Sequence, residues 1–575
     1  MYEKMNWLKF YGDYPKSIDY PKVTLYEALL QTAEKYPENI AWDFMGTTSN
    51  YTQFIKEIDQ FADALAAIGF KKGDVMTISM PTAPNGIIPI YAINKLGGVA
   101  SMIHPLSPPE QIKMFLNISK SKYVLTLNAF YKPVAEALSS GDTSVEKILL
   151  CTIPDYLGTL MKFGFWLTKG RKIPKIPEDD RIIWYHNMMK TSYPKAQKAV
   201  KTTNDLAIIL YSGGTTGIPK GIMLSNRNMI AEGTQCAIWG DLDKNDKILA
   251  ILPIFHGFGL GVCVNGAFMG GATSILIPTF TPETVANLVN KKKPTFLVGV
   301  PTLFAALSEN PTFQKADLSC LKATFSGADT LPRSVKEKFE ETVKNGGGNV
   351  KLLEGYGLTE SVTAMMATPI TEYREGSIGV PFPDMLAKVV KIDTKEESPL
   401  NEEGELCVSG PDVMLGYLDN PEATAKVLKK HEDGRIWLHT GDVASMDEDG
   451  FFYFKLRQKR MLKVSGINAY PKTIEEVIRN HPDVEGVCVI GIPDEKQITT
   501  IKAFVILKDS TKKNDEMAST IKKYCLTKLL KWESPREIEF RDELPLTLVG
   551  KVAFNKLEEE ELAKLKSAGK FPFNK

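Results

Sequence analysis

Strand-like and helix-like runs alternate over the first 300 residues, and this limits the fold more than any other feature of the chain. GDVMTISM (73–80), GVASMIH (98–104), KYVLTLN (122–128), KILLCT (147–152) and DLAIILY (205–211) are short, apolar and rich in β-branched residues, as buried strands are. NGIIPIYAINKLG (85–97) between the first two is long enough for a helix. Strands that share a sheet in parallel need a crossover, usually a helix, so this alternation predicts an α/β fold with largely parallel sheets. With 575 residues the chain exceeds what one core can serve.

The pattern changes twice. From about Asp393 to Phe454 the runs become short strands and turns, a small β-rich part. Beyond the basic stretch Leu456–Lys463, YPKTIEEVIRNHPDVEGVCVIGIPDE reads as helix then strand, IKAFVILK as a strand, and about Asp515–Lys531 as a helix. The expected division is a large N-terminal α/β region over 1–456, a hinge at 457–460 and a small, mobile C-terminal α+β domain over 461–575. Phe255–Ile277 carries no Asp, Glu, Lys or Arg, a pattern shared with membrane spans. Its glycines, Asn265 and strand-like end ATSILI instead predict a buried helix followed by a strand.

Charge and cysteines narrow the function. Seventy Lys and Arg against 69 Asp and Glu disfavour a nucleic-acid binder. Cys151, Cys236, Cys263, Cys320, Cys407, Cys488 and Cys525 form no CxxC pair, which disfavours a zinc site or a disulfide scaffold. MYEKMNWLKFYGDY lacks the apolar core of a signal peptide, and neither a Gly at position 2 nor a prenylation box is present. A cytoplasmic protein is expected.

The most informative stretch follows the strand ending at Tyr211: Ser212, Gly213, Gly214, Thr215, Thr216, Gly217, Ile218, Pro219, Lys220. Glycines let successive N–H groups turn toward one anion, the hydroxyls add donors, and Lys220 adds charge. This suits a polyphosphate. It is not a Walker A loop, because the GK[ST] ending is missing.

YSGGTTGIPKG resembles the phosphate-loop signature of the adenylate-forming superfamily, which includes acyl-CoA synthetases, firefly luciferase and the adenylation domains of nonribosomal peptide synthetases. The remaining motifs arrive in that family's order: PIFHGFG, SGADTLP, EGYGLTE, GELCVSG, GYLDNPEAT, HTGD, KVSGINAYPKTIEEVI and LPLTLVGK. The resemblance spans about residues 20–560 and is strongest to a bacterial-type acyl-CoA ligase.

The resemblance implies an enzyme that uses ATP, Mg2+ and CoA and converts a carboxylic acid to an acyl-adenylate, then to a thioester. It places Ser212, Gly213, Gly214, Thr215, Thr216, Gly217 and Lys220 on the phosphates. Gly327, Ala328, Tyr356 and Gly357 fall on the adenine side, with Tyr356 offering a flat face. Asp442 has two oxygens for the two ribose hydroxyls, and Arg457 belongs with the nucleotide residues. Thr359 donates to the α-phosphate, and Glu360 holds the metal, since hard cations prefer oxygen. His256, with Gly327 and Gly357, lines the acyl pocket. Lys551 is the catalytic lysine, Lys459 the pivot, and Lys463, Ser465 and Gly466 face CoA.

The chain departs from the family in having Leu456 before Arg457 where Gly is usual, Arg460 after the pivot lysine, and Lys496–Gln497–Ile498 where a glycine turn is usual. Loading of a carrier protein's phosphopantetheine thiol, a luciferase-like oxygenase and a non-catalytic acyl- or nucleotide-binding protein are the competing readings. Joint retention of Glu360, Asp442 and Lys551 disfavours the last.

Tyr156–Ile176 mixes aromatic and apolar residues with Lys162, Lys169, Arg171 and Lys172. An ordinary helix packed on the fold is the first expectation. The alternative is peripheral membrane contact, which would point to a medium- or long-chain fatty acid.

Overall fold

The computed structural model describes residues 5–139, 141–168, 170, 173, 175–211, 219–457, 462–464, 467–469, 471–494, 498–529, 533–546 and 552–567. The expected α/β fold is observed. Two large sheets form the body. In the first, strands Val75–Ser79, Val99–Met102, Tyr123–Leu127, Lys147–Cys151, Ile182–Trp184 and Leu206–Tyr211 run parallel, and Gly221–Ser225 turns back antiparallel against Leu206–Tyr211. In the second, strands Ile40–Phe44, Lys247–Ala250, Thr273–Leu276, Phe296–Gly299, Ala323–Ser326 and Leu352–Gly357 are parallel and carry antiparallel edges.

Helix Pro84–Lys95 explains how the two sheets meet. Every residue from Pro84 to Asn94 is buried. A helix that is apolar all round has to lie between layers. Its Ile87, Ile88 and Tyr91 share one core with Met76 and Ile78 of the first sheet and Ile248 and Trp42 of the second. Asn226 ties the same layer together, accepting N–H groups from Leu25 and from the Asn94 amide.

Phe255–Ile277 is buried, as expected, but the helix is unusual. Phe258–Gly266 winds as a π-helix, continues as Ala267–Gly270, and leads into strand Thr273–Leu276. Among the described residues no helix is long and apolar enough to cross a membrane.

The β-rich part is an antiparallel sheet of Leu386–Val390, Gly404–Ser409, Leu428–Lys430, Ile436–Met446 and Phe452–Arg457. Beyond it, Val484–Asp494, Ile498–Leu507 and Glu537–Phe540 form a separate sheet with its own core, including Ile474, Val489, Phe504 and Ile521. One expectation fails. Helix Thr159–Thr168 is not packed along its length: it buries no residue, and only Phe165 reaches the core. The cause is its composition, which puts apolar side chains on more of its circumference than the body covers.

Candidate functional site

The parallel strands of the second sheet deliver several of the expected residues. Ligands in open α/β sheets bind beyond the carboxyl ends of the strands. Gly327 follows strand Ala323–Ser326, and Tyr356 and Gly357 end the adjacent strand. Asp442 comes from the separate antiparallel sheet, yet the Tyr356 hydroxyl donates to its Oδ2 at 2.7 Å. Residues 86 apart in sequence therefore meet at one point.

Asp442 is held from behind. It is 1% exposed. Gly441 sits at φ +69°, a conformation that favours glycine. Its N–H donates to Glu405 Oε1 at 3.0 Å, and Thr440 Oγ1 accepts from Asp442 N at 3.1 Å. The other Glu405 oxygen bonds His439 Nδ1 at 2.7 Å, and His439 Nε2 lies 2.9 Å from His431 Nε2. Burial alone would raise the Glu405 carboxyl. The bond from His439 and the charge of that ring outweigh it and hold Glu405 below the usual range. Sequence reasoning missed Glu405 and His439 as supports, although GELCVSG and HTGD contain them.

Glu360, Lys220 and Tyr417 form a second cluster. Tyr417 donates to Glu360 Oε1 at 2.9 Å, and Lys220 Nζ stands 4.7 Å above the Tyr417 ring. Burial first, and Glu360's charge second, push the Tyr417 phenol far up, so it stays a donor. Tyr417 was also missed. It belongs to an edge strand, Gly416–Tyr417, that joins Gly221–Ser225 across the chain. A carboxylate beside a lysine and a phenol suits a cation shared with substrate phosphates rather than an all-protein metal cage.

The turn after Glu360 is strained. Val362 lies at φ 63°, ψ −66°, and Thr363 N donates to Ser361 O at 2.7 Å. This is the rare positive-φ γ-turn, on a β-branched residue, at a cost of about 1–3 kcal/mol. Two glycines, Gly257 of PIFHGFG and Gly357 of EGYGLTE, make room for it. A Cβ on Gly257 would fall 1.8 Å from Val362 O, and one on Gly357 would fall 1.4 Å from Thr363 O. His256, beside Gly257, accepts from Phe258 N through Nδ1 at 3.1 Å. A Cβ on Gly327 would lie 3.2 Å from the Phe258 ring, and Ala328 sits at φ 69°. The segments that carry His256, Gly327 and Gly357 thus meet through Gly257 and Phe258, with Thr359 in the one-turn helix of Glu360.

Ser212, Gly213, Gly214, Thr215, Thr216, Gly217, Lys459, Ser465, Gly466 and Lys551 lie outside the described residues. Arg457 and Lys463 are placed as strand positions, Arg457 opposite Asp442 and Lys463 opposite Asn468. Lys472, in the C-terminal part, donates to Thr330 Oγ1 and stands 4.6 Å over the Phe454 ring. Phe454 in turn lies 6.3 Å from Tyr356. Among the described residues, Glu405, Cys407 and His439 alone approach metal-ligand spacing. Both Glu405 oxygens and both His439 nitrogens already have hydrogen-bond partners, so the group is a positioning network.

Glu232 lies wholly buried beneath the π-helix, where a Cβ on Gly261 would meet its carboxylate at 2.6 Å. Burial pushes its carboxyl up to about 8. Because the folded value exceeds the unfolded one, stability is full below about pH 4.5 and falls as pH rises to about 8. The slope is about 1.4 kcal/mol per pH unit. Glu232→Gln should therefore raise the melting temperature relative to wild type at pH 8.5 and leave the difference small at pH 5. Equal differences at both pH values would show that Glu232 does not titrate in this window.

The sequence profile of AMP-binding enzyme matches residues 29–418, and that of AMP-binding enzyme C-terminal domain matches 473–551. The long-chain-fatty-acid–CoA ligase of Bacillus subtilis (strain 168) is 34% identical over 568 residues, 98% of this chain and 99% of that protein. Its namesake in Escherichia coli O157:H7 is 34% identical over 580 residues, 98% and 99%. The probable 4-coumarate–CoA ligase 3 of Dictyostelium discoideum is 30% identical over 488 residues, 84% and 83%. In fold, ATP-bound MatB from Rhodopseudomonas palustris matches with TM-score 0.80 at 24% identity, covering 94% of this chain and 99% of that one.

Proposed function

The chain belongs to the AMP-binding enzyme family, and from that premise we propose that its acid is a medium- or long-chain fatty acid. As a member, it activates a carboxylic acid with ATP, releases pyrophosphate, and passes the acyl group to CoA. A carboxylate oxygen bonds the α-phosphorus as the bond to pyrophosphate breaks. The CoA sulfur then bonds the acyl carbon, its proton is lost, and AMP leaves.

Both first reactants are anionic, so positioning and charge neutralisation do most of the work. In this reading the 212–217 loop and Lys220 hold the triphosphate. Thr359 donates to the α-phosphate, and Gly327, Ala328, Tyr356 and Gly357 bound the adenine. Asp442, locked by Tyr356 and the Glu405 network, takes the ribose hydroxyls. Glu360 would hold Mg2+, which neutralises charge on the phosphate oxygens. His256 borders the acyl group. Lys551 meets the carboxylate and α-phosphate, and Arg457 belongs with the nucleotide residues. The 457–460 hinge divides a 1–456 body from a 461–575 lid, which brings Lys463, Ser465 and Gly466 to CoA. The enzyme works in the cytosol and meets its poorly soluble acid at a lipid surface through segment 156–176.

The observation that carries the choice of acid is the identity of 34% over 98% of the chain to ligases named for long-chain fatty acids. Pyrophosphate release is expected to rise from butyrate through octanoate to palmitate, and to be weak with benzoate, coumarate and malonate. Each methylene buried in the pocket is worth about 0.8 kcal/mol, roughly fourfold in kcat/KM. A preference for an aryl acid or malonate would reject the fatty-acid reading.

A further inference from the structure

Residues 411–418 form a strap that grips Glu360 twice. At its start the Asn228 amide donates to Pro411 O at 2.7 Å and to Val413 O at 2.9 Å. Met414 N then donates to the main-chain oxygen of Glu360 at 2.9 Å. Leu415 N and Leu418 N donate to Met223 O and Gly221 O at 2.9 and 2.8 Å, on the strand that follows Lys220. Between them, Tyr417 N donates to Thr424 Oγ1 at 2.9 Å, and Gly416 sits at φ +140°, which glycine adopts readily. Tyr417 is therefore placed by backbone bonds on both sides, and it is 6% exposed.

The second grip is the Tyr417 hydroxyl, 2.9 Å from Glu360 Oε1. Among the described residues Oε2 takes no hydrogen bond, so the two oxygens of this carboxylate are not equivalent. The main-chain bond from Met414 and the phenol together limit how the carboxylate can turn. The Tyr417 ring has separate work, because Lys220 Nζ stands 4.7 Å above it. A phenylalanine would serve that contact and fill the same space. The hydroxyl is what the carboxylate alone requires.

Divalent cations differ in what they ask of a carboxylate. Mg2+ keeps near-octahedral geometry at about 2.0–2.1 Å, usually with waters, phosphate oxygens and one or two carboxylates. Ca2+ is larger, gathers roughly six to eight oxygens at about 2.3–2.6 Å, and readily takes both oxygens of one carboxylate. A glutamate with one oxygen already engaged suits the smaller ion.

We infer that Tyr417 is a specificity-determining residue for the divalent cation. By engaging Glu360 Oε1 it leaves Oε2 as a single-oxygen ligand and so favours Mg2+ over Ca2+ in the complex with ATP. The inference rests on the reading of Glu360 as the cation's ligand and adds to it which ion the carboxylate selects and why.

The test uses the full chain with ATP and Mn2+ and no acid. Bound Mn2+ is followed by electron paramagnetic resonance while MgCl2 or CaCl2 displaces it. In wild type Mg2+ should displace Mn2+ at lower concentration than Ca2+. In Tyr417→Phe the advantage of Mg2+ should shrink about tenfold, the size of one hydrogen bond to a charged group. Chelation by ATP in solution is common to both proteins and cancels in the comparison. Pyrophosphate release at fixed MgCl2 should become about tenfold more sensitive to added CaCl2 in the variant. An unchanged preference in Tyr417→Phe would overturn the inference. So would equal weakening of both ions, which would make the hydroxyl a general support. Glu360→Gln separates the two readings, and it should hold Mn2+ much more weakly than wild type. If it holds Mn2+ as well as wild type, Glu360 is not the ligand and the inference falls with that reading. If it loses Mn2+ while Tyr417→Phe keeps the wild-type preference, Glu360 stands and the role of Tyr417 alone is rejected.

Discussion

Lys551→Ala is expected to lose pyrophosphate release by about 10²–10³-fold while still converting supplied acyl-adenylate and CoA to thioester. A preorganised cation placed where negative charge gathers typically contributes a factor of this size. During adenylation two anions meet at the α-phosphorus, and a flexible cationic arm can serve both. During thiolysis the leaving group is already AMP, and in the family's scheme the C-terminal part has turned away. Lys551 directly precedes Val552, which pairs with Leu546, and Ala553 N donates to Pro545 O at 2.7 Å. Lys472 meets Thr330 and Phe454, and Phe454 lies 6.3 Å from Tyr356. Lys459→Pro fixes φ near −65° at the proposed pivot. It is expected to keep pyrophosphate release and lose thiolysis, where that φ suits the adenylating arrangement. Both half-reactions are measured separately, one with labelled ATP and one with synthetic acyl-adenylate. If both variants lose both half-reactions while folded, a two-arrangement cycle is wrong for this enzyme.

Much of the fold was legible because its signals are local. Strand periodicity marks the parallel sheets, and the uncharged stretch 255–277 marks a buried helix and strand. The π pitch of Phe258–Gly266 was not legible, because it depends on glycines that fit against Pro253 O and the Glu232 carboxylate, contacts set by tertiary packing. The site shows the same division. Asp442, Glu360 and Lys220 lie in motifs, so sequence reading singles them out as candidates. Tyr417, Glu405 and His439 act by holding those residues from other strands, and nothing local to GYLDNPEAT reveals that its tyrosine ends on Glu360. The turn at Val362 is hidden for a related reason: the room it needs is left by Gly257 and Gly357, a hundred residues apart. Helix Thr159–Thr168 fails differently. Amphipathicity shows that a helix has an apolar face and not what covers it.

Asp442→Ala is expected to weaken ATP binding by roughly 1–3 kcal/mol, about fivefold to 150-fold, through loss of charged acceptors for the ribose hydroxyls. The magnitude follows from how the carboxylate is held. Tyr356 fixes one oxygen, Thr440 the backbone nitrogen, and Glu405 the turn at Gly441. Little rotamer entropy remains to be lost on binding, so the full value of the bonds reaches affinity. Tyr356→Phe separates orientation from contact: it removes the hydroxyl, keeps the ring, and leaves Asp442 in place, so its effect on ATP affinity should be smaller than that of Asp442→Ala. Asp442→Asn should fall between, since it keeps an acceptor and the volume but loses the charge. Direct ATP binding without the acid distinguishes these from effects on the chemical step. The melting temperature without ATP tests whether the Glu405–His439–His431 network survives. Unchanged ATP affinity in Asp442→Ala, with the fold intact, removes Asp442 from the ribose role. An effect of Tyr356→Phe as large as that of Asp442→Ala would instead make the aspartate a support for the tyrosine, with the adenine face as the dominant contact.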